Sequence, residues 1–365
     1  MDGWAAALAG ELSAVSRDGR FPLAPELETL YVGGGTPSLL GPDAMAALAH
    51  VLGPERLADP TLEWTAEANP ESFSPAVATG WRAAGVNRVS LGVQSFSEYA
   101  LRWMGRLHGP DGARRAVATA RRAGLDDLSV DLIFALPDEV DRVWREDLDD
   151  ALGLEPPHVS LYGLTTEAGT PLGKSVAEGR VTSASEERYR EEYLYAVERL
   201  IGAGYVHYEV SNFARPGHAS RHNRVYWEGG TYLGLGNGAH SFSDPLRRWN
   251  LREWDDYSSV ATAGELPVAS QEEVGEAARQ LERVWLWLRT DSGVPCDKLN
   301  EPARILVRRW LAAGLAQRSE QGGGGGLCLT PAGWLLLDRL VVDLDHALGG
   351  ALGGRDQASS RGYYL

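Results

Sequence analysis

From Glu28 to about Gly163, short runs rich in β-branched and other apolar residues alternate with segments whose apolar positions recur at helical spacing. That alternation predicts parallel strands joined by crossover helices, an α/β fold. The runs place strands at 28–32, 62–67, 86–93, 128–133 and 158–163, with helices at 43–52, 75–84, 112–123 and 142–152 between them. Gly85 and Gly124 stand where a left-handed helix end is wanted before a strand resumes. Strands such as RVSLGV and VSLYGL fit burial on both faces, as in a barrel or a covered open sheet. A helix over about 3–16 opens the chain with no strand before it, so the first visible strand is expected at an exposed sheet edge.

Beyond Pro171 the pattern predicts a helix over 185–203, with Tyr189, Tyr193, Leu194, Val197, Leu200 and Ile201 at helical spacing. The run HYEVSNF follows, then a loop rich in Gly, His, Asn and aromatic residues that is expected to extend to about Trp249. From about Gln271 the order is helix, helix, two short strands around a five-glycine tip at Gly322 to Gly326, then a helix, a winged-helix-like series. The chain thus divides into 1–170, a partial barrel; 171–265, barrel closure and a ligand loop; 266–350, the winged-helix-like module; and a tail, 351–365.

Charge and composition narrow the partners. A formal net charge of −15 over 365 residues opposes encounter with nucleic acid or an anionic membrane surface, so the winged-helix-like end is not read as a DNA-binding module. The two cysteines, Cys296 and Cys328, are far apart in sequence and lack C-x-x-C spacing, which fits a reducing compartment and no disulfide framework. No run of about 18 apolar residues occurs, and a cytoplasmic protein is expected.

The stretch LYVGGGTPSLLG leaves main-chain groups open to close approach. No Gly-Lys-Ser/Thr follows, so it is not a P-loop, and it is not a G-x-G-x-x-G turn. In a β/α barrel the chemistry sits at the C-terminal strand ends. Gly33, Gly34, Gly35 and Thr36 fall there after the first strand, Glu67 and Asn69 after the second, and Gln94 and Ser95 after the third. Arg106 follows in the loop WMGRLHG, Asp131 lies in the fourth strand, and Thr165 and Thr166 follow the fifth. Together they suit a ligand with a carboxylate for the Arg106 fork, an ammonium for glycine carbonyls and hydroxyls for the acids.

The ordered motifs YVGGGTPSLL, EANPESF, GVNRVSLGVQSF, MGRLHG, SVDLIFALP, HVSLYGLTTEAGTPL and EVSNFARPGHASRHNRVYW resemble the radical S-adenosylmethionine family of oxygen-independent coproporphyrinogen III oxidase-like proteins, and most of all its heme chaperone HemW branch. The resemblance implies a partial (β/α)6 barrel followed by a mostly helical C-terminal region. It implies S-adenosylmethionine as the ligand at the strand ends. Gly34, Gly35 and Thr36 would meet the methionine ammonium and Arg106 its carboxylate; Glu67, Gln94 and Asp131 would contact the ammonium or ribose, and Thr165 would line the adenosyl side. The family also uses a [4Fe-4S] cluster held by a C-x-x-x-C-x-x-C loop after the first barrel strand. This sequence holds no such loop, and two isolated thiols do not replace three clustered ligands. The expected reading is a start placed after that segment; a cluster-less paralogue that only binds heme and a degenerate remnant are the alternatives. As written, the chain is not expected to be a competent radical enzyme.

A second candidate site is His222-Asn223-x-x-Tyr226-Trp227. An imidazole can ligate heme iron, and a Tyr-Trp pair can cover an apolar macrocycle face; the plainer alternative is a His222 that caps a turn beside two core aromatics. The resemblance favours heme, with His222 as iron ligand, His218 and His240 flanking, and respiratory hemoproteins, which can be membrane-associated, as acceptors. Two rival readings stand beside heme delivery: oxygen-independent decarboxylation of coproporphyrinogen III, and a bare protein-interaction module built on the C-terminal end.

Overall fold

The computed structural model describes residues 2–319 and 326–350, so residues 322–325 of the glycine tip and the tail at 351–365 lie outside the described residues. Two compact units form: Met1–Tyr226 with Gly230–Glu272, and Trp227–Gly229 with Glu273–Leu365.

The first unit opens with α1 (Asp2–Asp18), then β1 (Thr29–Val32), α2 (Ala44–Leu52), β2 (Glu63–Ala68), α3 (Pro75–Ala84), β3 (Arg88–Gln94), α4 (Glu98–Trp103) and α5 (Gly109–Arg122). It continues through β4 (Asp127–Phe134), α6 (Trp144–Gly153), β5 (His158–Gly163), α7 (Pro171–Ala177), α8 (Glu186–Gly202), β6 (Val206–Glu209) and β7 (Asn212–Ala214). The last elements are α9 (Arg221–Trp227), β8 (His240–Ser243), β9 (Leu246–Asn250), α10 (Trp254–Thr262) and β10 (Val268–Glu273), the final residue of α9 and of β10 belonging to the second unit.

All five expected strands form, and the main sheet runs β1-β2-β3-β4-β5-β7-β6 with β1 at its edge. The first five pair in parallel, and the β6–β7 hairpin adds antiparallel to β5. Helix ends follow the local chemistry. Ser74 accepts from the Val77 N–H to start α3, and Gly85 takes φ 117° to end it. The opening helix finds its partner within this chain, since Ala7 of α1 packs with Tyr257 and Ala261 of α10. The two helices cross so closely that a Cβ on Gly10 would lie 2.0 Å from the Ala261 carbonyl oxygen. Buried Glu11 ties this pair down, accepting from the Tyr257 hydroxyl at 2.6 Å and the Gly236 N–H at 2.9 Å.

The expected loop reaching to about Trp249 is instead a helix, α9, and a hairpin, β8–β9. Two acceptors explain the helix. The Ser220 hydroxyl takes the Asn223 N–H at 3.2 Å, and the Glu63 carboxylate takes the N–H groups of Arg221 and His222 at 3.0 and 2.9 Å. A first turn so capped needs no long apolar run to persist.

In the second unit α11 (Glu276–Arg289), β11 (Val294–Pro295), α12 (Glu301–Ala312), β12 (Ala316–Ser319), β13 (Gly326–Leu329), α13 (Pro331–Trp334) and α14 (Leu337–Ala347) surround a sheet of order β11-β13-β12. Val284, Leu288, Trp310, Leu327, Leu340 and Leu344 are buried in it. No helix among the described residues is long and apolar enough to cross a membrane.

Candidate functional site

Strand alternation gives the main sheet one apolar and one polar face. Trp64, Ala66, Val89, Leu91, Leu128, Val130, Val159 and Leu161 are buried on one side. Their neighbours in sequence, from Glu63, Thr65 and Glu67 through Ser90, Ser129 and Asp131 to His158 and Ser160, share the other. Pairing sets them in rows: Glu67 opposite Ser90, Ser90 opposite Ser129, Ser129 opposite His158, and Asp131 opposite Ser160. The polar face is buried at Thr65, Ser129, His158 and Ser160 but only half-buried at Glu67, Ser90 and Asp131, so the expected burial on both faces holds for the N-terminal part of the strands.

These groups satisfy one another in a directed chain. The Ser220 N–H donates to the Tyr208 hydroxyl at 3.3 Å, and that oxygen lies 2.8 Å from His158 Nε2. His158 Nδ1 meets the Ser129 hydroxyl at 2.8 Å, which donates to Asp131, also at 2.8 Å. Ser90 supplies Asp131 with a second donor at 2.8 Å. Burial keeps His158 neutral, well below the usual imidazole range, and raises the Asp131 carboxyl.

At the C-terminal strand ends the structure brings together most of the residues picked from the sequence. The Gly34 N–H donates to Glu67 Oε2 at 3.3 Å, and the Tyr31 hydroxyl donates to Glu67 Oε1. A Cβ at Gly33 would sit 2.6 Å from the Tyr31 ring and 2.7 Å from Glu67, so any larger residue there would displace this pair. Gly34 and Gly35, at φ 79° and 137°, face open space. Asn69 joins two further candidates, donating to Thr36 Oγ1 at 3.2 Å and accepting from Arg106 at 3.1 Å. Arg106 forms no ion pair among the described residues. Gln94 takes φ 67° at a register shift in β3, a strained conformation of the kind that gathers at binding sites. Burial, with the Asp131 charge adding to it, raises the Glu67 carboxyl. Two half-buried acids beside exposed glycine backbone suit a cationic ligand, whose charge would relieve both. Thr165 is exposed after β5, and no hydrogen bond joins it to this set among the described residues.

The second candidate site lies toward the other end of the same face. His222 Nδ1 is 2.9 Å from the hydroxyl of Thr29, the first residue of β1, and its ring stacks on Tyr31 at 5.1 Å and 15°. Its Nε2 is 2.8 Å from the Tyr226 hydroxyl, one helical turn on. Burial lowers the imidazole pKa to about 4, so the ring is neutral near pH 7. Tyr226 meets the edge of Tyr232 at 4.6 Å, and Tyr232 neighbours Phe242, which continues the aromatic row. Trp227 does not join this group. One residue further turns its side chain by about 100° around the helix, and it is buried in the second unit at 6.2 Å from Trp285, with Arg289 over its ring at 3.9 Å. His218 contacts Asp127 at 3.2 Å, and His240 stacks on Trp249.

Thr29, Tyr31 and Glu63 are the residues that sequence reasoning missed. A signal existed in the alternation T-L-Y before the glycines, which puts Thr29 and Tyr31 on one strand face. Tyr31 touches both candidate sites, through its ring to His222 and its hydroxyl to Glu67.

The described residues do not fit an iron–sulfur cluster. Cys296 and Cys328 both lie in the second unit, one exposed and one buried in β13, and no group of three or more His, Cys, Asp or Glu side chains among the described residues could hold a metal ion.

Residues 20–151 match the Radical SAM superfamily. The chain is 37% identical over 345 residues to the heme chaperone HemW of Mycobacterium tuberculosis, covering 94% of this chain and 86% of that one. It is 38% identical over 229 residues to HemW of Escherichia coli, covering 63% and 60%. In fold it is similar to the Escherichia coli coproporphyrinogen III oxidase HemN, a radical SAM enzyme, with a TM-score of 0.71 at 20% identity over 94% of this chain and 83% of that one. That likeness supports the partial-barrel architecture and speaks for the fold alone.

Proposed function

This chain belongs to the HemW heme chaperone family of the radical SAM superfamily, and from that premise we propose that it binds heme through His222 and hands it to hemoproteins of respiration. The observation that carries the reading is the His222 imidazole itself. It is neutral, half-buried, fixed to the sheet through Thr29 and Glu63, and set beside Tyr226 and Tyr232. A neutral imidazole ligates iron without first losing a proton, and the aromatic row offers apolar surface to a macrocycle.

At the other end of the face, Gly34, Gly35, Thr36, Glu67, Gln94, Arg106 and Asp131 are proposed to hold S-adenosylmethionine, with Thr165 at the margin. Bound there, it would set a sulfonium and an ammonium against the two acids. Arg106 would orient its carboxylate, and Asn69 holds Arg106 in place.

Titration of hemin into the purified full chain tests the heme reading. A Soret shift in the wild type that is lost or weakened at least about tenfold in His222→Ala is expected, about 1.4 kcal/mol or more of lost binding. An unchanged titration in the variant would remove His222 from the site. Coproporphyrinogen decarboxylation has no observation of its own here beyond the shared fold.

A further inference from the structure

The His222 ring is held at both nitrogens, and the two contacts differ in kind. Nδ1 meets Thr29 of β1, which pairs in register with Glu63 of β2, the same Glu63 that accepts the His222 backbone N–H. Tyr31, also on β1, stacks against the ring. Nδ1 thus lies on the sheet side of the ring, against β1. Nε2 meets the hydroxyl of Tyr226, on the same helix four residues on, whose ring also packs edge-on with Tyr232, so this contact is held by the helix and not by the sheet.

Resting on the heme reading above, we propose that Tyr226 is a gate on the heme-ligating nitrogen: its hydroxyl holds His222 Nε2 in the heme-free protein and must swing away before iron binds there, while Thr29 anchors the ring so that Nε2 is the atom presented. A neutral imidazole carries one N–H. With that proton on Nδ1 and donated to Thr29, the Nε2 lone pair accepts from the Tyr226 hydroxyl. Iron needs the same lone pair, so the hydrogen bond and the Fe–N bond exclude one another. On exchange the O–H···N contact breaks, the Fe–N bond forms, and Tyr226 keeps its proton. In the other tautomer Tyr226 faces an Nε2–H, and the hydroxyl still lies across the path to iron.

Such a contact has a use in a carrier. A ligand that competes from inside the protein weakens the hold on heme and recaptures the imidazole as heme departs, which favours transfer over storage. It also keeps the lone pair satisfied while no heme is bound.

The test is hemin binding to the full chain, read by Soret titration and by stopped-flow association, in wild type, Tyr226→Phe, Thr29→Val and His222→Ala. Tyr226→Phe keeps the ring and removes only the hydroxyl. It is expected to bind hemin about 2- to 10-fold more tightly, the range of one net hydrogen bond, mostly through faster association because the opening step is gone. Thr29→Val is expected to weaken binding. If Tyr226→Phe binds as wild type does or more weakly, with no gain in association rate, while His222→Ala loses the Soret shift, the gate is overturned and the heme reading stands. If His222→Ala binds as wild type does, the heme reading falls and the gate with it. Unchanged or tighter binding in Thr29→Val overturns the anchoring role of Thr29.

Discussion

His207 stacks on Phe213 at 3.9 Å, and burial lowers its pKa to about 3. The folded state thus prefers the neutral ring, while the unfolded chain protonates near 6.5. Its contribution to stability is complete above about pH 6.5 and is lost as pH falls from there toward 3, at up to about 1.4 kcal/mol per pH unit. Burial raises Glu11, Glu67 and Asp131, whose effect runs the opposite way, so the test is a difference. Urea unfolding of wild type and His207→Gln is expected to show the variant less stable at pH 7.5, with the gap shrinking at pH 5. A gap independent of pH would mean that His207 is charged or exposed in the folded protein. Single residues of the strand-end site were legible because chemistry and position coincide there: Gly34, Thr36, Glu67 and Arg106 all follow a visible strand. Thr29 and Tyr31 were not, because what joins them to His222 is a helix that follows almost two hundred residues later.

At the scale of elements, α9 matters most. It is seven residues long, and its first two N–H groups are held by a glutamate from β2, with only the third, that of Asn223, held by the neighbouring Ser220. Glu63→Ala leaves the N–H groups of Arg221 and His222 without that acceptor, at a cost of about 1–3 kcal/mol. Chemical denaturation is expected to show that loss, and Glu63→Gln, which keeps one oxygen, is expected to lose less. Equal stability in wild type and Glu63→Ala would show that α9 is held by other means. Much of the element pattern was readable, since the five strands and the helices between them follow hydrophobic period and glycine stops. The stretch from Arg221 to Trp249 reads as loop in the sequence because Gly229, Gly230, Gly234, Gly236 and Gly238 mask its helix and hairpin. The i, i+4 spacing of His222 and Tyr226 and the Ser220 cap were the local signs of a helix.

Across the whole molecule, the strand alternation that buries Trp64, Leu91 and Val130 on the apolar side of the sheet sets Glu67, Ser90 and Asp131 on the polar side. One face thereby carries both candidate sites: an acid-and-glycine cluster at the C-terminal strand ends and a fixed imidazole toward the N-terminal ends, with Tyr31 between them. The motif order made the family legible, and the acidic charge of −15 told against a nucleic-acid role for the C-terminal module. The Tyr31 link was not legible, because it depends on the register between β1 and β2 and on where α9 docks. The most direct measurement is the resonance Raman spectrum of the ferrous heme complex of the full chain, in wild type and in His222→Ala. An iron–histidine stretching band that is present in the wild type and absent from the variant is the expected result. The same band at undiminished intensity in His222→Ala would contradict His222 as the heme ligand.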